Sequence, residues 1–276
     1  MCGINGISTS KASRGAFVRM VSDMTIMNRK GRGNDSHGFA TLMSTGQFKT
    51  FRKLGIPNDE YILHKFAEDT TSAALGHVRA ASQGAVTLEN AHPYYNDKVA
   101  MIHNGHVYGR DLHRHSYGKT LGVTLRGDND SEMIFHIFNS VWDKSTNINS
   151  LVEALQKTLD QISGMANLLF MFKDGTMMAY KDNTLSVNIQ DDAVLFASTP
   201  PHDDEVWQSM ARNSVIIVKD GKPLLEEVLK VSTYTPKSYS YVAKESTVQQ
   251  KLDAKQNNTQ QKAKVGNYMK YLRGEL

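Results

Sequence analysis

Apolar positions along this chain change period several times, and each change marks an element. After Cys2, "INGIS" alternates apolar and small residues, the period of a first strand. "GAFVRMVSDMTIMNRKG" carries apolar residues at helical spacing and closes on a basic turn plus glycine, which predicts a helix and its stop. "HGFATLMS" and "QFKTFRKL", joined by Thr45-Gly46, predict a hairpin. "SAALGHVRAAS" and "KVAMIHNG" read as buried strands that each end at a polar cluster. "DSEMIFHIFNSVW" and "INSLVEALQKTLDQI" predict two amphipathic helices. "NLLFMFKDGTMMAYKDNTLSVNIQDDAVLFAS" predicts a meander of short strands with Asp-Gly, Asp-Asn and Asp-Asp turns. "SVIIVKDGKPLLEE" adds one more hairpin.

Helices grouped between runs of antiparallel strands predict an α+β layered sandwich rather than a doubly wound sheet. After about Thr233 the texture turns polar and rich in Gln, Asn and Lys. A domain over 2–232 and a basic tail over 233–276 are therefore expected. Within the tail, Val265, Tyr268, Met269 and Leu272 fall at i, i+3, i+4 and i+7. That stripe predicts a short helix that docks on its own domain or on a partner.

The 276 residues include 40% hydrophobic ones, enough for a real core. No apolar run approaches the ~18–20 residues of a membrane span, and the start lacks the basic and apolar regions of a signal peptide. The single cysteine excludes an internal disulfide and fits a reducing compartment, so a cytoplasmic location is expected. The net charge is +4, and residues 244–276 carry all of it, leaving 25 basic and 25 acidic residues in the body. A neutral body does not support a nucleic-acid grip.

That lone cysteine directly follows the initiator methionine. Removal of Met1 gives Cys2 a free α-amino group with an unperturbed pKa of ~7.7–8.0. One residue then supplies both the thiol nucleophile and the base that takes its proton. "MIHNGHVYG" sets Asn104 and Gly105 at a strand end, where a side-chain amide and a backbone N–H suit an oxyanion hole. The same Asn-Gly pair also suits an ordinary hairpin turn. Arg79, at the end of another strand, can hold a carboxylate bidentately. Asp130, at a helix start, can meet an ammonium group or serve as the helix N-cap. Together, Arg79 and Asp130 would read the two ends of an amino acid. The histidines His103, His106, His113 and His115 lie close in sequence but lack the cysteine or carboxylate of a familiar zinc spacing, so no metal is expected.

"MCGINGI", "RGNDSHGFA", "GHVRAASQG", "NAHPYYN", "IHNG" and "DNDSE" stand in the order and approximate spacing of class II glutamine amidotransferase domains. The chain resembles this family of N-terminal-nucleophile hydrolases over about residues 2–230. The resemblance implies a four-layer αββα sandwich. It also implies that L-glutamine is hydrolysed to glutamate and ammonia through a cysteinyl γ-glutamyl thioester, without a cofactor. By motif position, Cys2 is nucleophile and base, and Asn104 and Gly105 form the oxyanion hole. Arg79 binds the substrate α-carboxylate and Asp130 its α-ammonium. Arg32 and Asp35 of the "RG-x-D" turn, and His103 of "HNG", support the pocket.

After Arg79, many members carry an aromatic residue and then Thr and His before the glycine. This chain has Ala80, Ala81, Ser82, Gln83 and Gly84 instead, and Ser82 keeps a hydroxyl that can bond substrate. Family enzymes usually fuse the domain to a synthase, and only ~40 polar residues follow here, too few for a domain of typical size. A separate ammonia-accepting synthase is the expected partner. Two other readings stay open: a silent binding module of the same fold, and an N-terminal-nucleophile hydrolase for another amide.

Overall fold

The computed structural model describes residues 1–109 and 114–229. The expected tail, its apolar stripe, the boundary at 232 and His113 all lie outside the described residues. The chain opens with β1 (Gly3–Ser13), α1 (Arg14–Arg29), β2 (Ser36–Leu42), β3 (Phe48–Leu54), α2 (Asp59–Lys65) and β4 (Thr71–Arg79). Then come β5 (Tyr94–Tyr95), β6 (Val99–Gly109), α3 (Arg114–Leu121), α4 (Asp130–Val141) and α5 (Ile148–Leu159). The last run is β7 (Ile162–Phe172), β8 (Met177–Lys181), β9 (Ser186–Ile189), β10 (Ala193–Ala197), β11 (Gln208–Ser209), β12 (Ser214–Lys219) and β13 (Lys222–Val228).

Two antiparallel sheets result. One runs β11-β9-β10-β1-β4-β2-β3 and the other β13-β12-β8-β7-β6-β5. Alternation along the strands sends one set of side chains between the sheets and the other outward. Ile4, Leu75, Ile102, Leu169, Met177 and Ile216 fill the space between them. On the first sheet's outer face, α1 lays down Phe17, Met20, Val21, Met24 and Met27 against Phe39, Ala74 and Val78. Ser13 starts that helix by accepting from the Ala16 amide at 3.0 Å. Outside the second sheet, α4 and α5 bury Ile134, Phe138, Leu151 and Leu155 against Met101, Phe170 and Phe172. Helix, sheet, sheet, helix is the α+β sandwich that the element pattern predicts, in the four-layer order that the family resemblance implies.

The expected meander is only half of one. β7 and β8 form its first hairpin, but β9 and β10 join the opposite sheet. The crossing is held by Asn167 on β7, whose Oδ1 accepts the Asn183 and Thr184 amides, each at 3.0 Å. β6 also outruns its expected end, continuing past Asn104-Gly105 to Gly109 in unbroken register with β7. Two helices went unpredicted. α2 has seven residues and one buried apolar side chain, Ile62, too little to show a period. α3 has a weakly apolar sequence with a glycine inside it.

A polar tie joins the two sheets near Cys2. His77 on β4 donates from Nε2 to the His103 carbonyl of β6 at 3.1 Å. The His92 ring stacks on His77 with centroids 3.9 Å apart. All three rings are buried. Burial pushes His77 down to about 3 and His92 well below the ordinary imidazole value, and it lowers His103 as well. These rings are neutral when folded at a pH where the unfolded chain binds protons. Stability is therefore full above the ordinary imidazole value of 6.5 and falls as pH drops from there toward 3. Each such ring contributes a slope of up to about 1.4 kcal/mol per pH unit. Urea unfolding between pH 7 and pH 5 should show this loss, with a shallower dependence in His77→Gln. An equally steep His77→Gln profile would mean that the ring titrates alike in both states.

Candidate active site

The site begins with strand register. Gly3 of β1 pairs with Val78 of β4, which brings Cys2 to the end of β4 beside Arg79 and Ala80. The Cys2 thiol accepts from the Ala80 amide at 3.3 Å and donates to the Ala80 carbonyl at 3.4 Å. Burial pushes the thiol above its ordinary value. The Ala80 hydrogen bond, Arg79 and the chain's N-terminal charge pull the other way, and Asp130 adds to the rise. Left alone, this thiol stays protonated at neutral pH and needs a base to become a nucleophile.

A small cavity of about 20 Å³ sits at the thiol, and Arg79, Ser82, Gln83, His92, His103, Gly105, Asp130 and Ser131 are among its walls. That is room for one water molecule. Arg79 is almost fully buried at 3% exposure. Its guanidinium donates to the Gln83 carbonyl at 2.7 Å and the Ala85 carbonyl at 3.0 Å, and meets no carboxylate among the described residues. Asp130 is the first residue of α4, where the helix dipole favours a negative charge. Its Oδ2 accepts from the Val107 amide at 2.9 Å, and its Oδ1 from the Ser131 hydroxyl at 3.4 Å. The N-cap is Asn129, which accepts the Glu132 amide at 3.1 Å, so Asp130 is free of the capping role that the sequence left open. A buried cation and a buried anion thus flank one thiol, each held by neutral partners.

Asn104-Gly105 is not a turn. Both residues lie inside β6, paired with Asn167 and Ala166 of β7. Gly105 is obligatory there, since a Cβ would stand 1.9 Å from the Met165 carbonyl oxygen. Gly105 lines the cavity; Asn104, buried beside it, does not, and its carbonyl accepts from Asn167 Nδ2 at 2.9 Å. His103 reaches toward α4, with Nδ1 2.9 Å from Ser131 Oγ.

The "RG-x-D" turn stands behind the thiol. Arg32 packs on Gly3 and donates from Nε to Thr199 Oγ1 at 2.7 Å, while its Nη1 is buried without a partner. Gly33 has φ +48°, and a Cβ there would lie 2.3 Å from the Val78 backbone. Asp35 accepts the Ala81 amide at 2.7 Å and so anchors the start of the loop after β4. Arg32 and Asp35 thus lie outside the cavity wall.

Five wall residues were not singled out as site residues from the sequence: Ala80, Gln83, His92, Asn129 and Ser131. His92 lies in the "NAHPYYN" match and Ser131 beside Asp130, so both carried a signal. Gln83 showed itself only as a departure from the usual histidine.

Comparison with known proteins gives three findings. The family model described as glutamine amidotransferases class-II matches residues 62–190. The glutamine–fructose-6-phosphate aminotransferase (isomerizing) of Bradyrhizobium diazoefficiens is 28% identical over 250 residues, covering 85% of this chain and 40% of that protein. Its counterpart in Wigglesworthia glossinidia brevipalpis is 28% identical over 174 residues, 62% of this chain and 27% of that protein. The chain therefore spans well under half the length of these curated relatives. Among solved structures, the glutamine phosphoribosylpyrophosphate amidotransferase of B. subtilis superposes with a TM-score of 0.63 at 19% identity, covering 84% of this chain and 50% of that one. The last match speaks for the fold alone. Over residues 62–190 the chain is similar to the class-II glutamine amidotransferases.

Proposed function

We propose that this chain hydrolyses the side-chain amide of L-glutamine, with Cys2 as nucleophile. The observation that carries the reading is the pairing of Arg79 and Asp130 in the wall of the thiol's cavity. A buried guanidinium without a carboxylate suits an α-carboxylate, and a buried carboxylate at a helix start suits an α-ammonium. An amide substrate without both charges would leave both groups unpaired at a cost of several kcal/mol.

The chemistry then follows from the residues. With Met1 removed, the α-amino group of Cys2 takes the thiol proton, directly or through a water. The thiolate attacks the amide carbon, and the oxyanion that forms is held by the Gly105 N–H and the Asn104 side-chain amide. The amine returns its proton to the leaving nitrogen, the C–N bond breaks, and ammonia departs. Water then cleaves the γ-glutamyl thioester to release glutamate and restore the thiol. Ser82 adds a hydroxyl to the substrate contact.

The ammonia has a use only if an acceptor enzyme takes it. A synthase protein is the proposed partner; the curated relatives' names pair glutamine with a sugar phosphate. The reduced lone thiol fits a cytoplasmic setting.

Two experiments test this reading. Active protein should begin at Cys2 by intact mass and release glutamate from glutamine, and Cys2→Ala should lose that activity while still unfolding cooperatively. Full activity with Met1 retained would defeat the role of the α-amino group. Steady-state kinetics should also separate two sets of residues. Asn104→Ala should lower kcat by about 10²–10³ with little change in KM. Arg79→Ala should mainly raise KM, by about tenfold or more, as a lost charged hydrogen bond implies. A wild-type kcat in Asn104→Ala would mean that its side chain has no part in the transition state.

A further inference from the structure

Asn90, the first residue of the "NAHPYYN" stretch, takes no part in the chemistry above. It lies in the connection between β4 and β5 and is buried. Its side chain carries two hydrogens to donate and an oxygen to accept with, and both kinds of group are used. Nδ2 donates to the Ala85 carbonyl at 2.9 Å and to the Asp128 carboxylate, and Oδ1 accepts the Asp128 amide at 2.8 Å. The Asn90 carbonyl accepts from Asn129 Nδ2 at 3.0 Å. Two glycines make room for this junction. A Cβ on Gly127 would stand 2.2 Å from Asn90 Oδ1, and one on Gly84 would stand 2.4 Å from Asp128 Oδ1.

These bonds lead to both charges of the cavity. On one side, the Ala85 carbonyl that Asn90 holds also accepts from Arg79, at 3.0 Å. On the other side, Asp128 and Asn129 directly precede Asp130, and Asn129 is the N-cap of α4. Asp128 adds to the link by accepting the Ala85 amide at 2.9 Å. Arg79 belongs to the first sheet through β4, whereas the Asp130 carboxylate is tied to the second through the Val107 amide of β6. The Asn90 junction therefore joins the loop that backs the cation to the turn that leads into the anion. A buried polar junction whose groups are satisfied is rigid, so it can fix a distance.

We infer that Asn90 is a positioning residue that sets the spacing of Arg79 and Asp130, and so favours ligands with both α charges of an amino acid over ligands with only one. Asn90 itself is not part of the cavity wall. A ligand with a carboxylate alone can follow Arg79 if the loop shifts. An amino acid must meet both groups at once, and its affinity therefore depends on the spacing. The inference rests on the proposed function and deepens it.

The test uses the full chain with Cys2→Ala, which binds glutamine without turning it over. Calorimetry gives its affinity for L-glutamine and for glutaramic acid, which is glutamine without the α-amino group. Adding Asn90→Ala should weaken L-glutamine about fivefold to tenfold, the value of one or two hydrogen bonds, and leave glutaramic acid within about twofold. Asp128→Ala, at an exposed position, removes the carboxylate from the same junction and should narrow the preference for glutamine about threefold. Thr87→Ala, in the same loop, should keep the parent's preference. If Asn90→Ala fails to unfold cooperatively, Asp128→Ala decides the matter. A general loosening of the loop would weaken both ligands alike, and that result in the folded variants would overturn the inference, as would an unchanged preference. A parent protein that binds no L-glutamine would remove the proposed function and the inference with it; a parent that prefers L-glutamine while the variants keep that preference would remove the inference alone.

Discussion

The register of β1 against β4 governs the rest of the site. Because Gly3 faces Val78, the residue before Gly3 meets the residues that follow Val78. A slip of one residue would turn the Cys2 thiol to the opposite face of the sheet. The register is held from three sides. β10 pairs with β1 from Asn5 to Thr9, and Ser198 exchanges bonds with both backbone groups of Ile4. On the third side, Gly33 leaves no room between the "RG-x-D" turn and the Val78 backbone. The apolar layer of Ile4 and Leu75 against Ile102 and Leu169 makes any slip expensive, since it would expose that face to water.

Around this fixed thiol the protein has assembled polar groups in a buried space. The buried carboxylates Asp23 and Asp69 each meet a cation, Arg19 at 2.7 Å and Lys49 at 2.7 Å. Arg79 and Asp130 differ, because their partners are carbonyls, an amide and a hydroxyl. Such an arrangement costs stability in the empty protein and is relieved by a ligand of complementary charge. The neutral histidine stack of His77 and His92 belongs to the same economy: it fills the space behind the cavity with rings that burial keeps uncharged.

Much of this was legible in the sequence, for physical reasons that differ by residue. Helical periodicity exposed α1, α4 and α5, because each buries one apolar face. Cys2, Arg79, Gly105 and Asp130 stood out as chemistry-bearing residues at element boundaries, and the fold brings these four to one cavity. Local preference misled where distant contacts prevail. Asn-Gly suggests a turn, yet pairing with β7 and the Met165 carbonyl hold it straight. The meander could not be divided between two sheets from its pattern, because the crossing depends on Asn167, a polar residue within an apolar strand. The pairing of Asn90 with Asp128 spans 38 residues and had no local signature at all.

The central claim is that this thiol attacks an amide carbon. Protein mixed with glutamine and quenched in acid within the first turnovers should carry a covalent adduct on the peptide that begins at Cys2. Its mass should be that of glutamine less ammonia, and the adduct should be lost on treatment with hydroxylamine, as a thioester is. Glutamate release without any adduct at Cys2, or an adduct that survives hydroxylamine, would contradict the account.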